Sequence, residues 1–261
     1  MKRPSRLDYA YAVGRVRALE RKLIERAVFS EAAEEKDLSS AVKIVFDAGD
    51  FPEEMTKINN SVELDGFLER EKEEILRLVA EIFLEKSILD IFLIEEMPAR
   101  ALEISKKLNY SFIRDYLKHR IDLANLKILG RLKYLRASRE KLEKFILKGG
   151  FLDEQILVQN FEATFSDIGD KIQASPYAEL WNRSIDSLKQ EETFVELERG
   201  IEDFLMAYLR KAKYIVFGPE PIFAYGLAKR RELNLIRILG IGKLNHIPTL
   251  LLKKRISETY V

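Results

Sequence analysis

Cysteine is absent from this 261-residue sequence, and only two histidines occur, His119 and His246. No disulfide framework, thiolate zinc site or thiol nucleophile is therefore available. The two histidines form no His-x-x-x-His pair, and neither has partners at the spacing a metal site or a triad requires. Excess charge of one sign is also missing: 44 Lys and Arg face 43 Asp and Glu, a formal net charge of +1. A nucleic-acid binder relying on bulk charge is thereby disfavoured, because phosphate contacts need an uncompensated basic surface. No apolar run approaches the roughly 20 residues that span a bilayer. The basic start Met1-Lys-Arg-Pro-Ser-Arg6 leads into Leu7-Asp-Tyr-Ala-Tyr11 and not into an apolar core, so it does not read as a signal peptide. These features suit the cytosol, and work at a membrane would require another protein to hold the chain there. Finally, no segment sustains the period-2 alternation, rich in Val and Thr, that marks a sheet.

What is present is helical periodicity with long charged faces, in a chain 33% charged and 47% hydrophobic. Tyr9, Val13, Val16, Leu23 and Ala27 form one stripe. Asp37 is placed to cap a helix carrying Leu38, Val42, Val45 and Phe46, which Ala48-Gly-Asp-Phe-Pro52 ends, and Asn59-Asn-Ser61 reads as a loop. A helical hairpin is expected next. Its first arm runs from Leu64 to Phe83, and its second starts at Ser87 with Asp90 as capping partner and is interrupted by Pro98. Further helices are expected from Phe112 to about Leu135 and from Phe194 to about Lys213, with short helices between Phe151 and Pro176. The predicted fold class is all-α: helical hairpins arranged as pseudo-repeated lobes. The division is 1–62 for a first lobe, 63–150 for a middle lobe and 151–261 for a C-terminal lobe.

The stretch Phe217 to Pro248 is the most distinctive. Pro219 and Pro221 open a helix, where a missing N–H costs nothing, and Glu220 stands near the positive end of its dipole. Gly240 and Gly242 read as punctuation before Pro248. The sequence Gly240-Ile-Gly-Lys-Leu244 resembles a phosphate loop only superficially, since Arg237 replaces the first Gly and Leu244 the hydroxyl residue. Tyr225, Lys229, Glu232 and Arg237 place opposite charges near i, i+4 spacing, which reads as a polar seam between lobes. A weak repeat pairs Ile113, Tyr116, Asn125 and Leu126 with Ile222, Tyr225, Asn234 and Leu235 at an offset of 109 positions. Asn125 and Asn234 have poor propensity for mid-helix. They are read first as locks across a helix pair and second as partner contacts. His119 is expected on a helix surface and His246 in a loop. Glu95-Glu96 and Glu191-Glu192 read as solvated faces rather than acid–base pairs, and Lys253-Lys-Arg255 as cations favoured by the end of a final helix.

Four blocks resemble, in order, the C subunit of rotary A-type and V-type ATPases, the family to which the eukaryotic d subunit belongs. They are Tyr9–Glu20, Leu102–Leu108 together with Phe112–Lys127, Leu147–Leu152 and the tail Phe217–Pro248. The resemblance implies a non-catalytic, funnel-shaped helical subunit without cofactor or metal. It implies a seat on the cytoplasmic face of the membrane rotor ring, made of c/K-type proteolipid subunits, and a mouth that receives central-stalk subunits of the D and F type. Ion transport, of protons or sodium, would be coupled through it to ATP. The family pattern has three Asn-Leu-Lys-type helices; two occur here, Asp122–Lys127 and Glu232–Arg237, so a truncated first lobe and an open funnel are expected. A helical scaffold or binding module unrelated to rotary ATPases is the alternative. An enzyme lacks a constellation of nucleophile, base and oxyanion donors.

Overall fold

A computed structural model describes residues 4–261. The α-helices run in the order α1 (Ala10–Glu20), α2 (Arg26–Ala32), α3 (Leu38–Ala48), α4 (Ser61–Ile82), α5 (Lys86–Leu93), α6 (Pro98–Ser105), α7 (Ser111–Tyr134), α8 (Arg139–Phe145), α9 (Glu154–Gln159), α10 (Phe165–Lys171), α11 (Ala178–Glu191), α12 (Val195–Arg210), α13 (Glu220–Leu244) and α14 (Thr249–Arg255). No strand occurs among the described residues. The chain is all-α, as its periodicity predicts.

Local chemistry sets many of the boundaries. The Asp37 carboxylate accepts from the Ser40 N–H at 2.8 Å and caps α3. Asn60 caps α4 in the same way, and Glu63 returns the bond by accepting from the Asn59 N–H. The expected loop at 59–61 is therefore the start of a helix. Pro98 opens α6 at its first position and restarts the chain rather than kinking it. α5 begins at Lys86, one residue before the expected cap Ser87. The expected stripe from Tyr9 to Ala27 is broken by a turn at 21–25, which leaves Ala27 exposed.

The helices gather into two compact units. Unit 1 joins the chain up to Leu89 with Met206–Val261, and unit 2 is Asp90–Leu205. The units divide the chain elsewhere than at 62/63 and 150/151: position 62 lies in the first turn of α4, and 150 lies between α8 and α9. Within unit 1, α13 is the central helix, with α1, α2, α3, α4 and α14 against it. α4 buries Leu64, Phe67, Leu68, Ile75, Val79 and Ile82, and its most extensive neighbour is α13. In place of the expected punctuation, Gly240 and Gly242 are interior to α13. A Cβ at Gly240 would stand 2.6 Å from a Leu64 methyl, and one at Gly242 2.6 Å from a Leu252 methyl. Their role is to let α4 and α14 approach closely.

Unit 2 is organised around α7, with α6 and α8 packed on it. α11 buries Leu180, Trp181, Ser184, Ile185 and Leu188, and the Trp181 indole donates to the Phe165 carbonyl at 3.0 Å.

Candidate functional site

α13 is buried on nearly every face although it carries six charged side chains past its first residue. A helix can do this only if its charges find partners inside, because an unpaired buried ion costs several kcal/mol. Glu220, at the first position and buried, receives both guanidinium nitrogens of Arg6 at 2.8 and 3.1 Å, and Arg6 also donates to the Phe217 carbonyl. Lys229 and Glu232 form a buried pair at 2.7 Å. The Lys229 ammonium also lies 4.5 Å from the centre of the Phe51 ring. The second carboxylate oxygen of Glu232 accepts from the Ile24 N–H at 2.6 Å. Burial raises the Glu232 pKa above the ordinary carboxylate value, and Lys229 and the Ile24 amide pull it back only in part. Buried Tyr225 is likewise pushed up, first by desolvation and then by the Glu232 charge. Arg237 turns to α4, where it meets Asp65 at 2.8 Å and Glu69 at 3.7 Å. Tyr225, Lys229 and Glu232 thus belong to the interior of unit 1, while Arg237 clamps α13 to α4 and not to Glu232.

The two asparagines separate. Asn125 on α7 donates to the Leu147 carbonyl and accepts from the Leu147 N–H, both at 2.8 Å, so it locks the segment after α8 onto α7. Asn234 is exposed and has no side-chain hydrogen bond among the described residues. The expected lock is present at 125 and absent at 234. The physical reason is helix length: α7 has 24 residues and α13 has 25. One extra residue rotates everything beyond it by about 100°. The 109-position offset therefore holds only for the first halves, where Tyr116 and Tyr225 are both buried.

Beyond that point the two helices correspond at 110 positions. Buried Asp122 matches buried Glu232, Gly130 matches Gly240, and Leu142 matches Leu252, both fully buried. Asp122 accepts from the Phe151 and Leu152 N–H groups at 2.8 and 3.2 Å and from the Tyr177 hydroxyl at 2.8 Å. Lys133 donates to the Phe161 and Ala163 carbonyls, and Lys243 to the Ala33 and Glu35 carbonyls. Each helix ends alike, with Arg136 and His246 at positive φ and a closing bond from Ala137 to Leu132 and from Ile247 to Gly242. The receiving segments also correspond, at 128 positions: Leu152 with Ile24, Phe161 with Ala33, and Ala163 with Glu35. In unit 1 the repeat is therefore assembled from opposite ends of the chain, in unit 2 from one continuous stretch.

Several working residues lie outside the set the sequence singled out. Arg17 donates to the Ala212, Lys213 and Ile215 carbonyls while pairing with Glu20, and buried Tyr260 donates to the same Glu20 at 3.0 Å. Arg210 pairs with Glu258, and Arg231 donates to the Ser257 hydroxyl at 2.7 Å. The C-terminal residues are thus strapped into unit 1. The 110-position correspondence was the available sequence signal for Asp122, Lys133 and Lys243; nothing local marked Tyr260. His119 is not on an open surface. Its Nδ1 lies 2.6 Å from the Tyr177 hydroxyl, with Phe151 and Phe204 rings against it. That hydroxyl also lies 2.8 Å from Asp122, so His119, Tyr177 and Asp122 form one hydrogen-bonded chain. Glu95 is buried against Arg120 at 2.9 Å, not solvated. Lys243, inside α13, is committed to the Ala33 and Glu35 carbonyls in the turn after α2, which removes the phosphate-loop resemblance. Lys253, Lys254 and Arg255 occupy the last turn of α14, with Lys253 paired to Glu34.

The arrangement holds segments together; its charged groups pair with other groups of the same chain. The profile of the ATP synthase (C/AC39) subunit family matches residues 54–255. The C subunit of the V-type sodium ATPase of Enterococcus hirae is 26% identical over 157 residues, covering 60% of this chain and 47% of that protein. The C subunit of the A-type ATP synthase of Halobacterium salinarum is 27% identical over 147 residues, covering 56% of this chain and 41% of that protein. That of Haloferax volcanii is 25% identical over 131 residues, covering 50% and 37%. The matched stretches span less than half the length of these relatives. With most of its length matched by the family profile, this chain belongs to the ATP synthase (C/AC39) subunit family.

Proposed function

We propose that the chain is a non-catalytic central-stalk subunit of a rotary A/V-type ATPase. In this reading it seats on the cytoplasmic face of the membrane rotor ring and receives D- and F-type stalk subunits, so that ion movement and ATP chemistry elsewhere are mechanically coupled through it. The observation that carries the reading is the family match over 54–255, which includes both α7 and α13. Physical support comes from the way the helices are tied. A torque-bearing spacer must resist shear between its elements, and close packing alone supplies part of that stiffness. Here it is reinforced by buried ion pairs and by lysines that staple helix ends to neighbouring turns. No helix among the described residues is long and apolar enough to cross a membrane, which accords with a peripheral seat on the ring.

The lobes are proposed to be two, one framed by α7 and one by α13, with residues 1–62 as a reduced first-lobe contribution and an open rather than closed funnel. Protons or sodium would be chosen by other subunits. The test is co-purification of the tagged chain from native membranes in mild detergent. Recovery with ring and ATPase-head subunits is the expected result. Recovery alone, or with unrelated proteins, would make it a helical scaffold of another kind.

A further inference from the structure

We propose that unit 1 carries a second binding surface, for anionic phospholipid, on the run 211–217 and the adjoining outer face of α1. The run follows α12 and passes through the short turn Lys211–Tyr214. Its backbone is pinned by two arginines: Arg17 of α1 takes the carbonyls of Ala212, Lys213 and Ile215, and Arg6, in the turn before α1, takes that of Phe217. Carbonyls held in this way can enter a dehydrated interface without the penalty of unsatisfied polar groups. The side chains between them point outward. Tyr214 is 88% exposed and Val216 67%, while Leu7 in the turn Arg6–Tyr9 and Tyr11 on α1 are 64% and 79% exposed. An aromatic and an aliphatic side chain this exposed on one short run call for a partner to cover them.

Charge decides which partner. Residues 204–219 contain no carboxylate, in a chain with 43 of them. The lysines of the run, Lys211 and Lys213, are exposed and have no ion pair among the described residues; each instead leans over a tyrosine ring, Tyr208 and Tyr260. The neighbouring cations are already matched: Arg6 to Glu220, Arg15 to Glu81, Arg17 to Glu20 and Arg210 to Glu258. On the α1 side Asp8 is turned onto the Ser5 N–H. Tyrosine, Phe and Val flanked by free lysines are the combination that sits at a headgroup boundary, with the rings at the interface and the ammonium groups among anionic headgroups. With the carbonyls of Ala212, Lys213, Ile215 and Phe217 occupied, the run offers a protein partner fewer directional polar groups by which to set register.

The surface is separate from the ATPase reading, and the isolated chain tests it. Purified protein is floated with phosphatidylcholine vesicles and with vesicles also containing phosphatidylglycerol. Binding is expected to the anionic vesicles only and to fall steeply with added salt. Lys211→Glu with Lys213→Glu should weaken it by about tenfold or more. Tyr214→Ser with Val216→Ser should weaken it comparably, while Lys72→Glu on α4 leaves it unchanged; matching circular dichroism spectra confirm that the variants fold. Absence of flotation overturns the proposal, and so does binding that the patch variants do not alter. Retention of the protein on a lipid-free proteolipid ring, lost in these same variants and without flotation, would assign the surface to a protein. Either failure leaves membership in the complex intact.

Discussion

The α7 frame of unit 2 and the α13 frame of unit 1 solve one problem by two chemistries. Each buries a carboxylate midway along a central helix and uses it to hold the backbone of another segment. Asp122 does so without a cation, sharing its oxygens among two N–H groups and the Tyr177 hydroxyl. Glu232 reaches one N–H, that of Ile24, and needs Lys229 for the rest. The receiving segment differs in origin. Behind Asp122 it follows closely in the chain, while behind Glu232 it comes from the far terminus. A cation inside the frame lets a longer side chain bridge to a segment that is not tethered nearby. Burial raises the pKa of both carboxyls, so each hold works against desolvation and depends on its donors.

The largest expected effect comes from breaking the cation-dependent frame. Lys229→Ala leaves Glu232 buried with one amide donor and should cost about 3–5 kcal/mol in urea melts. Tyr177→Phe in the other frame removes one of three donors and should cost about 1–3 kcal/mol. Equal losses would show that the two holds are not chemically distinct. Gly240→Ala drives a methyl into Leu64 and should cost about 1–3 kcal/mol. By contrast, Gly14→Ala meets open space on α1 and should stabilise by about 0.5–1 kcal/mol through helix propensity. Asn125→Ala should lose about 1–3 kcal/mol with its two bonds to Leu147, whereas Asn234→Ala should fall within about 0.5 kcal/mol of wild type. A large loss at Asn234 would restore the 109-position register.

The smallest effect is a pH dependence. The native Glu232 carboxyl takes its proton at higher pH than the unfolded one, so folding takes up a proton as pH falls from the raised native value toward 4.5. Wild type should therefore gain on Glu232→Gln across that window, with the gain gone at neutral pH. Thermal melts of both proteins between neutral pH and about pH 4.5 measure it, and a constant difference would contradict it.

Much of the architecture was legible because strong local signals agreed with tertiary demand. Asp37 before an apolar stripe, Pro98, the long apolar face of α4 and the start of α7 each name a boundary that packing then respects. α11 was not singled out, because its buried residues are interspersed with Asn, Arg, Asp and Ser and contain a buried serine. The candidate residues of α13 were found as a group, yet their partners were not. Lys229 and Glu232 face inward, Arg237 reaches Asp65 on α4, and Asn234 faces water, since one extra residue shifts helical phase without altering composition. Glycines mislead for a related reason: Gly240 and Gly242 read as a helix end, but close approach of Leu64 and Leu252 requires the same absence of a side chain. The burial of His119 and the docking of Tyr260 depend on contacts across long separations that no local pattern encodes.

A density map of the native membrane assembly containing this chain would decide whether it is a rotor subunit. Helical density for this polypeptide is expected on the rotor axis, between the proteolipid ring and the central stalk, with α7 and α13 resolved as its two frames. Density for the chain at the periphery of the motor, or none in any rotary assembly, would contradict it.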